Sequence, residues 1–168
     1  MALAMETIDS RSTNVLGESK DDPILQWATF RLDDELYGVD VMQVQEVLRY
    51  VEITPVPGAA DFILGIINLR GNVVTIIDTR DRFGMPHGEV SDSSRIVIIE
   101  AVGQVVGMLV DSVADVVYLR QSEIEKTPNV GNDDTAKFIQ GVCNKNDVLL
   151  ILIQLEAMIE AGLEEFQL

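Results

Sequence analysis

From Trp27 onward the chain is built of short apolar runs: WATFRL, ELYGVDV, VVTIID, RIVIIE, QVVGMLV, VADVVYL and VLLILI. Several are bounded by Gly, Asn or Asp, which supply the positive φ or the side-chain hydrogen bonds that tight turns require. Runs of this length, spaced by roughly 8 to 12 residues, predict a small barrel or sandwich rather than βαβ units. Helical periodicity is scarce. Val41, Val44, Val47 and Leu48 fit one face of a two-turn helix, and Asp78 ahead of TRDRFG is placed to cap a single turn ended by Gly84. Only Leu155 to Phe166 reads as a full amphipathic helix. Leu155, Met158, Ile159 and Leu163 lie along its stripe, with Glu156, Glu160, Glu164 and Glu165 off it. Residues 1–22 hold no sustained period and are expected to form a flexible tail ahead of one domain, residues 23–168.

The chain also repeats itself. At an offset of 69, Gly38 meets Gly107, Val41 meets Val110, Val44 meets Val113, Glu46 meets Asp115 and Val47 meets Val116. At 73, Thr54-Pro55 meets Thr127-Pro128. At 76, Phe62-Ile63 meets Phe138-Ile139, Gly65 meets Gly141, Asn68 meets Asn144, and VVTII meets LLILI. Collinear blocks with a slowly growing offset describe two copies of one small β unit separated by loop insertions. Each copy spans roughly 60 to 70 residues, a size only marginally able to fold alone, so the copies are expected to pack together and to form a groove between them.

Where the copies differ, one of them is free to have acquired a task. The sharpest difference is the hairpin Asn68-Leu69-Arg70-Gly71-Asn72, whose counterpart Asn144-Lys145-Asn146-Asp147 has no basic residue in the register of Arg70. Two readings of Arg70 stay open. It is a solubilising turn residue, or it offers five guanidinium donors to a carboxylate or to carbonyls of a partner. Glu46, set among Val44, Val47 and Leu48, has the same two readings: a solvated acid over ordinary core, or part of a surface that is recognised.

Net charge narrows the field of partners. With 28 acidic and 12 basic residues the chain carries −16, which disfavours nucleic acid and a bare anionic membrane surface. The longest apolar run, Val148 to Ile153, is too short to span a bilayer, and the N-terminus has no signal-peptide pattern, so a cytoplasmic location without membrane insertion is expected. One cysteine, Cys143, is read as a small core residue, and the single His87 has no neighbour at metal-ligand spacing. No Walker loop, GxSxG, HExxH or GxGxxG occurs, so neither an enzyme nor a cofactor is indicated.

Between Trp27 and Ile159 the sequence resembles the CheW-type coupling proteins of bacterial chemotaxis. The resemblance rests on YGVDVMQVQEV (37–47), FILGIINLRGNVVTIIDTR (62–80), RIVIIE with VVGMLVDSVADV (95–100 and 106–117) and VLLILIQLE (148–156). It implies an all-β fold with minor helix, two packed and intertwined SH3-like five-stranded barrels and a short C-terminal helix. It further implies a non-enzymatic adaptor joining the cytoplasmic tip of transmembrane chemoreceptors to the regulatory domain of the histidine kinase CheA, at the periphery of membrane-bound receptor arrays. The positions it marks for partner binding are Val44, Glu46, Val47, Asn68, Arg70, Gly71, Val113 and Val116. Other outcomes are an adaptor of a non-flagellar chemosensory pathway, governing surface motility or second-messenger output, and a small ligand-binding or hydrolytic barrel.

Overall fold

A computed structural model describes residues 21–126 and 134–163. Its strands are β1 (Ile24–Leu32), β2 (Glu35–Asp40), β3 (Val44–Arg49), β4 (Ile63–Leu69), β5 (Asn72–Asp78), β6 (Arg95–Ala101), β7 (Gln104–Val110), β8 (Ser112–Arg120), β9 (Ile139–Lys145) and β10 (Val148–Ile153). Two helices join them, α1 (Thr79–Arg82) and α2 (Leu155–Leu163). The strands form two five-stranded sheets, ordered β8-β1-β2-β10-β9 and β3-β6-β7-β5-β4. Each curls until its edges meet. The segment after β8 bridges β9 at Glu125–Val142 in the first barrel, and the segment after β3 bridges β4 at Thr54–Ile66 in the second.

The repeat is visible in the register. Gly38 on β2 faces Leu152 on β10, and Gly107 on β7 faces Ile76 on β5, so both partners obey the offsets read from the sequence. Strands β1 to β5 therefore correspond to β6 to β10. The sequence copies are nonetheless not the barrels. Each copy gives two strands to one barrel and three to the other, because the central β2–β10 and β5–β7 pairs are parallel and join opposite halves of the chain. Parallel neighbours need a long crossover: between β2 and β10 it contains the whole second barrel, and between β5 and β7 it is α1, the loop after it and β6.

Interleaving explains why so many strands read as continuous apolar runs. Ile96 and Ile98 of β6 point into the second barrel with Ile67, Val74 and Ile76, while Val97 and Ile99 point the other way. On β10, Leu150 and Leu152 fill the first barrel with Trp27, Leu119 and Cys143, whereas Ile151 and Ile153 face outward. The outward residues meet in a third core between the barrels, with Phe30, Leu32, Tyr37, Met108, Phe138 and the α2 residues Leu155, Met158 and Ile159. A strand buried on both faces has no polar alternation to show.

Two expectations need correction. Val41 to Leu48 is not a helix: Val41–Gln43 make one 3-10 turn, capped by Asp40, whose Oδ1 accepts from the Met42 amide at 2.9 Å, and from Val44 the chain is extended against β6. The β-branched valines suit a strand, and the period-two burial of β3 replaces the apparent helical face. Asp22, assigned to the tail, is held by Ser122, whose amide and hydroxyl donate to its carboxylate at 2.8 and 2.9 Å. The rest of the tail, Thr127-Pro128 of the repeat, and Glu164 to Phe166 of the expected helix lie outside the described residues. The single turn after Asp78 is present as α1, with Arg80 and Asp81 amides donating to Asp78 Oδ1 at 3.1 and 3.5 Å.

Candidate functional site

Arg70 and Gly71 form the two-residue turn between β4 and β5, and both have positive φ, 50° and 88°. A two-residue hairpin of this hand follows the twist of its strands and favours glycine at the second position. Asn68 completes the turn by accepting the Gly71 amide on Oδ1 at 2.8 Å. This hairpin stands at one edge of the second barrel, and Glu46, on β3, stands at the other. Arg70 spans the seam as a two-pronged ion pair: Nη1 lies 3.3 Å from Glu46 Oε1, and Nη2 donates to Oε2. The guanidinium holds the Glu46 carboxyl below the usual carboxylate range, and the carboxylate raises Arg70 further. The arginine remains 68% exposed, so its outer edge still faces solvent while the pair fixes where it points.

The remaining marked residues divide between the barrels. Val47 is exposed on β3 and Val44 is half-buried against the core between the barrels. Val113 and Val116 are exposed on β8, an edge of the first barrel. Val116 lines an apolar groove of about 380 Å³ with Leu36, Tyr118, Leu119, Val148 and Leu150. The structure thus brings Glu46, Asn68, Arg70 and Gly71 together and sets Val113 and Val116 on the other barrel. Tyr118, 59% exposed, joins this apolar face, although the sequence reading passes over it.

Sequence reasoning also misses a charge cluster between the barrels. Arg80, on α1, donates from Nε to Asp111 Oδ1 at 2.9 Å, from Nη2 to Asp111 Oδ2 at 2.6 Å and to Asp33 Oδ1 at 2.5 Å, and from Nη1 to the Pro86 carbonyl at 3.1 Å. Asp33 belongs to the β1–β2 turn of the first barrel, so this arginine ties the two barrels together. Its hydrogen bonds push the Asp111 carboxyl below its ordinary range, helped by the Asp33 amide. The available signal is the one that singles out Arg70: at offset 76, Arg80 faces Glu156. Glu156 instead accepts a hydrogen bond from Gln43 Nε2 at 2.8 Å.

The residues weighed for chemistry have structural surroundings. Cys143 is buried inside the first barrel, and burial pushes its thiol upward, away from nucleophilic use. His87 is largely exposed, with Nδ1 3.1 Å from Asp78 Oδ2. Among the described residues no group of three His, Cys, Asp or Glu is gathered as a metal site.

Comparison with known proteins agrees with this architecture. Residues 26–162 match the family described as the CheW-like domain. The chain is 33% identical over 129 residues to chemotaxis protein CheW of Rhizobium meliloti (strain 1021), covering 77% of this chain and 83% of that one. It is 35% identical over 131 residues to chemotaxis protein CheW of Bacillus subtilis (strain 168), covering 78% and 84%. Among solved structures it is similar to the scaffolding protein TtCheW from Thermoanaerobacter tengcongensis, with a TM-score of 0.75, 40% identity, and coverage of 81% of this chain and 92% of that one.

Proposed function

The chain belongs to the CheW-like family and is a chemotaxis coupling adaptor, and from that premise we propose that it holds the cytoplasmic tip of a transmembrane chemoreceptor and the regulatory domain of the histidine kinase CheA at the same time. An adaptor needs two surfaces on one rigid body and no catalytic centre. The observation that carries this reading is the contrast between the two barrel edges: a charged, preorganised seam at Glu46 and Arg70 and an open apolar face at Val113 and Val116.

A receptor tip is a bundle of helices, and a helix is recognised by apolar anchors with rim charges that fix its register. Val44, Val113 and Val116 are the proposed anchors. Arg70, held by Glu46 and backed by Asn68 and Gly71, is the proposed polar contact, with Val47 beside it. Because Arg70 is already oriented, little side-chain freedom is lost when a partner carboxylate or carbonyl meets its outer edge. Each contact is of moderate strength, and repetition in an array multiplies it. No helix among the described residues is long and apolar enough to cross a membrane, so in this reading the receptors supply the link to the bilayer.

The test is CheA autophosphorylation in receptor-containing membranes, without adaptor, with this chain, and with Arg70→Asn, the residue of the second copy. Stimulation by the wild type and its loss with the folded variant is the expected result. Equal stimulation by both removes Arg70 from the coupling surface, and stimulation by neither, with matched receptors and kinase, overturns the proposal.

A further inference from the structure

In a chain with 28 acidic and 12 basic residues, arginines without a carboxylate partner stand out. Arg49 on β3 and Arg95 on β6 face each other directly across the antiparallel pair. That register sets their Cβ atoms roughly 5 Å apart and makes like charges repel. Neither forms an ion pair among the described residues. Both line one open cavity of about 670 Å³, walled by Tyr50, Val90 and the loop that carries Asp92 and Ser94.

The two guanidiniums are prepared differently. Arg95 is fixed, its Nη1 donating to the carbonyls of Asp92 and Ser94 at 2.9 and 2.8 Å. The loop itself is braced, with the Ser91 amide donating to Ser94 Oγ at 2.9 Å and the Ser94 amide to the Ser91 carbonyl at 3.1 Å. These bonds leave Nε and Nη2 of Arg95 for another acceptor. The Arg49 guanidinium has no hydrogen bond among the described residues and is free to swing toward the same point.

We infer that this cavity binds the phosphate group of a small phosphorylated molecule between Arg49 and Arg95. An anion placed there relieves a repulsion that folding leaves standing. A carboxylate has two oxygens and is satisfied by a single guanidinium fork, whereas a tetrahedral dianion has oxygens for two guanidiniums in different planes and for the Tyr50 hydroxyl as well. The cavity has the size of a small-molecule site, about 300 to 1,000 Å³, and Tyr50 and Val90 offer an apolar wall to the remainder of such a molecule. Asp92 on the rim opposes any anion, leaving one net positive charge locally. Salt screens the more distant part of the overall charge of −16 over about 8 Å, so the two arginines at contact are set against the acids nearest in the chain, Asp92 on the rim and Glu89 and Glu52 beside the lining residues.

The experiment is an amide NMR titration of the full chain at constant ionic strength with inorganic phosphate, with adenosine monophosphate and with succinate. Saturable shifts centred on Tyr50, Ser94 and Arg95 are expected with phosphate and adenosine monophosphate. Arg49→Gln, which breaks no hydrogen bond of the fold, should weaken that binding by about tenfold or more. Tighter binding of the nucleotide than of inorganic phosphate supports a phosphate monoester as the ligand, and equal binding overturns it, because the apolar wall would then contribute nothing. Shifts that do not saturate, equal binding of succinate, or unchanged affinity in Arg49→Gln overturn the assignment.

Discussion

The two barrels have corresponding strands, matched bulges and two-residue turns of the same hand, yet their seams are sealed differently. In the second barrel the turn residue is Arg70, and it reaches across to Glu46. In the first, the same positions are Asn146 and Asp115, and the seam opens into the apolar groove beside Val116. What the fold requires is retained in both copies: Asn146 and Asp147, like Arg70 and Gly71, have positive φ. What it does not require has diverged at the rims, where partners can reach.

The most damaging way to probe this comparison is to force the closures apart. A Cβ on Gly65 would overlap the Thr54 carbonyl that bridges to β4, and the residue has φ +149°. At Gly141 the added atom would lie 2.7 Å from Ile124 Cγ2 and 3.0 Å from the Glu125 carbonyl. Gly65→Ala is therefore expected to cost about 3 kcal/mol or more, from a backbone clash added to strained φ. Gly141→Ala should cost about 1 to 2 kcal/mol, since its contacts are longer, the nearest is a side-chain methyl, and its φ lies outside the left-handed range. Urea unfolding of the two variants measures the difference, and equal costs would mean that the closures are mechanically alike.

Next in size is the tie between the barrels. Arg80→Ala leaves Asp33 and Asp111 facing each other without their cation and should cost about 2 kcal/mol near neutral pH. The sign of its pH dependence is fixed by Asp111, whose carboxyl Arg80 holds below its ordinary range. Such a group contributes fully above about pH 4, and the contribution is lost as the pH falls through the lowered folded value. The stability gap between wild type and Arg80→Ala should therefore narrow as the pH falls below about 4. A gap independent of pH would assign Arg80 a packing role instead.

These residues show what is legible in a sequence of this kind. The strands, the Asp78 cap and the correspondence of Gly65 with Gly141 can be read directly, because each follows from local conformation or from a repeated backbone need. The interleaving cannot be seen in residue patterns alone: β6 and β10 are apolar on both faces whichever half supplies their neighbours. The resemblance to coupling proteins implied it, and the parallel register shows it. Val41 to Leu48 misleads because four aliphatic residues in eight satisfy a helical spacing while a bulged strand uses them differently. Arg70 is noticed as a difference between copies, but its partner Glu46 lies 24 residues away and meets it only when the barrel closes. Arg80 escapes because its carboxylates come from the β1–β2 turn and the start of β8.

The smallest expected effect comes from making the two seams alike. Asn146→Arg places the guanidinium of the second barrel on the first, opposite Asp115 and beside the apolar groove, in a turn whose φ of 54° nearly equals that of Arg70. Asn146 is a surface residue, so stability should change by no more than about 0.5 kcal/mol. If one turn residue is what separates a sealed seam from an open one, the new arginine will cross to Asp115 and cover the groove, and binding of an apolar fluorescent dye will fall while the melting temperature holds. If dye binding is unchanged, the arginine stays in solvent. The asymmetry then rests on the whole apolar set of Val116, Tyr118 and Val148, where the second barrel carries Val47, Arg49 and Asn72.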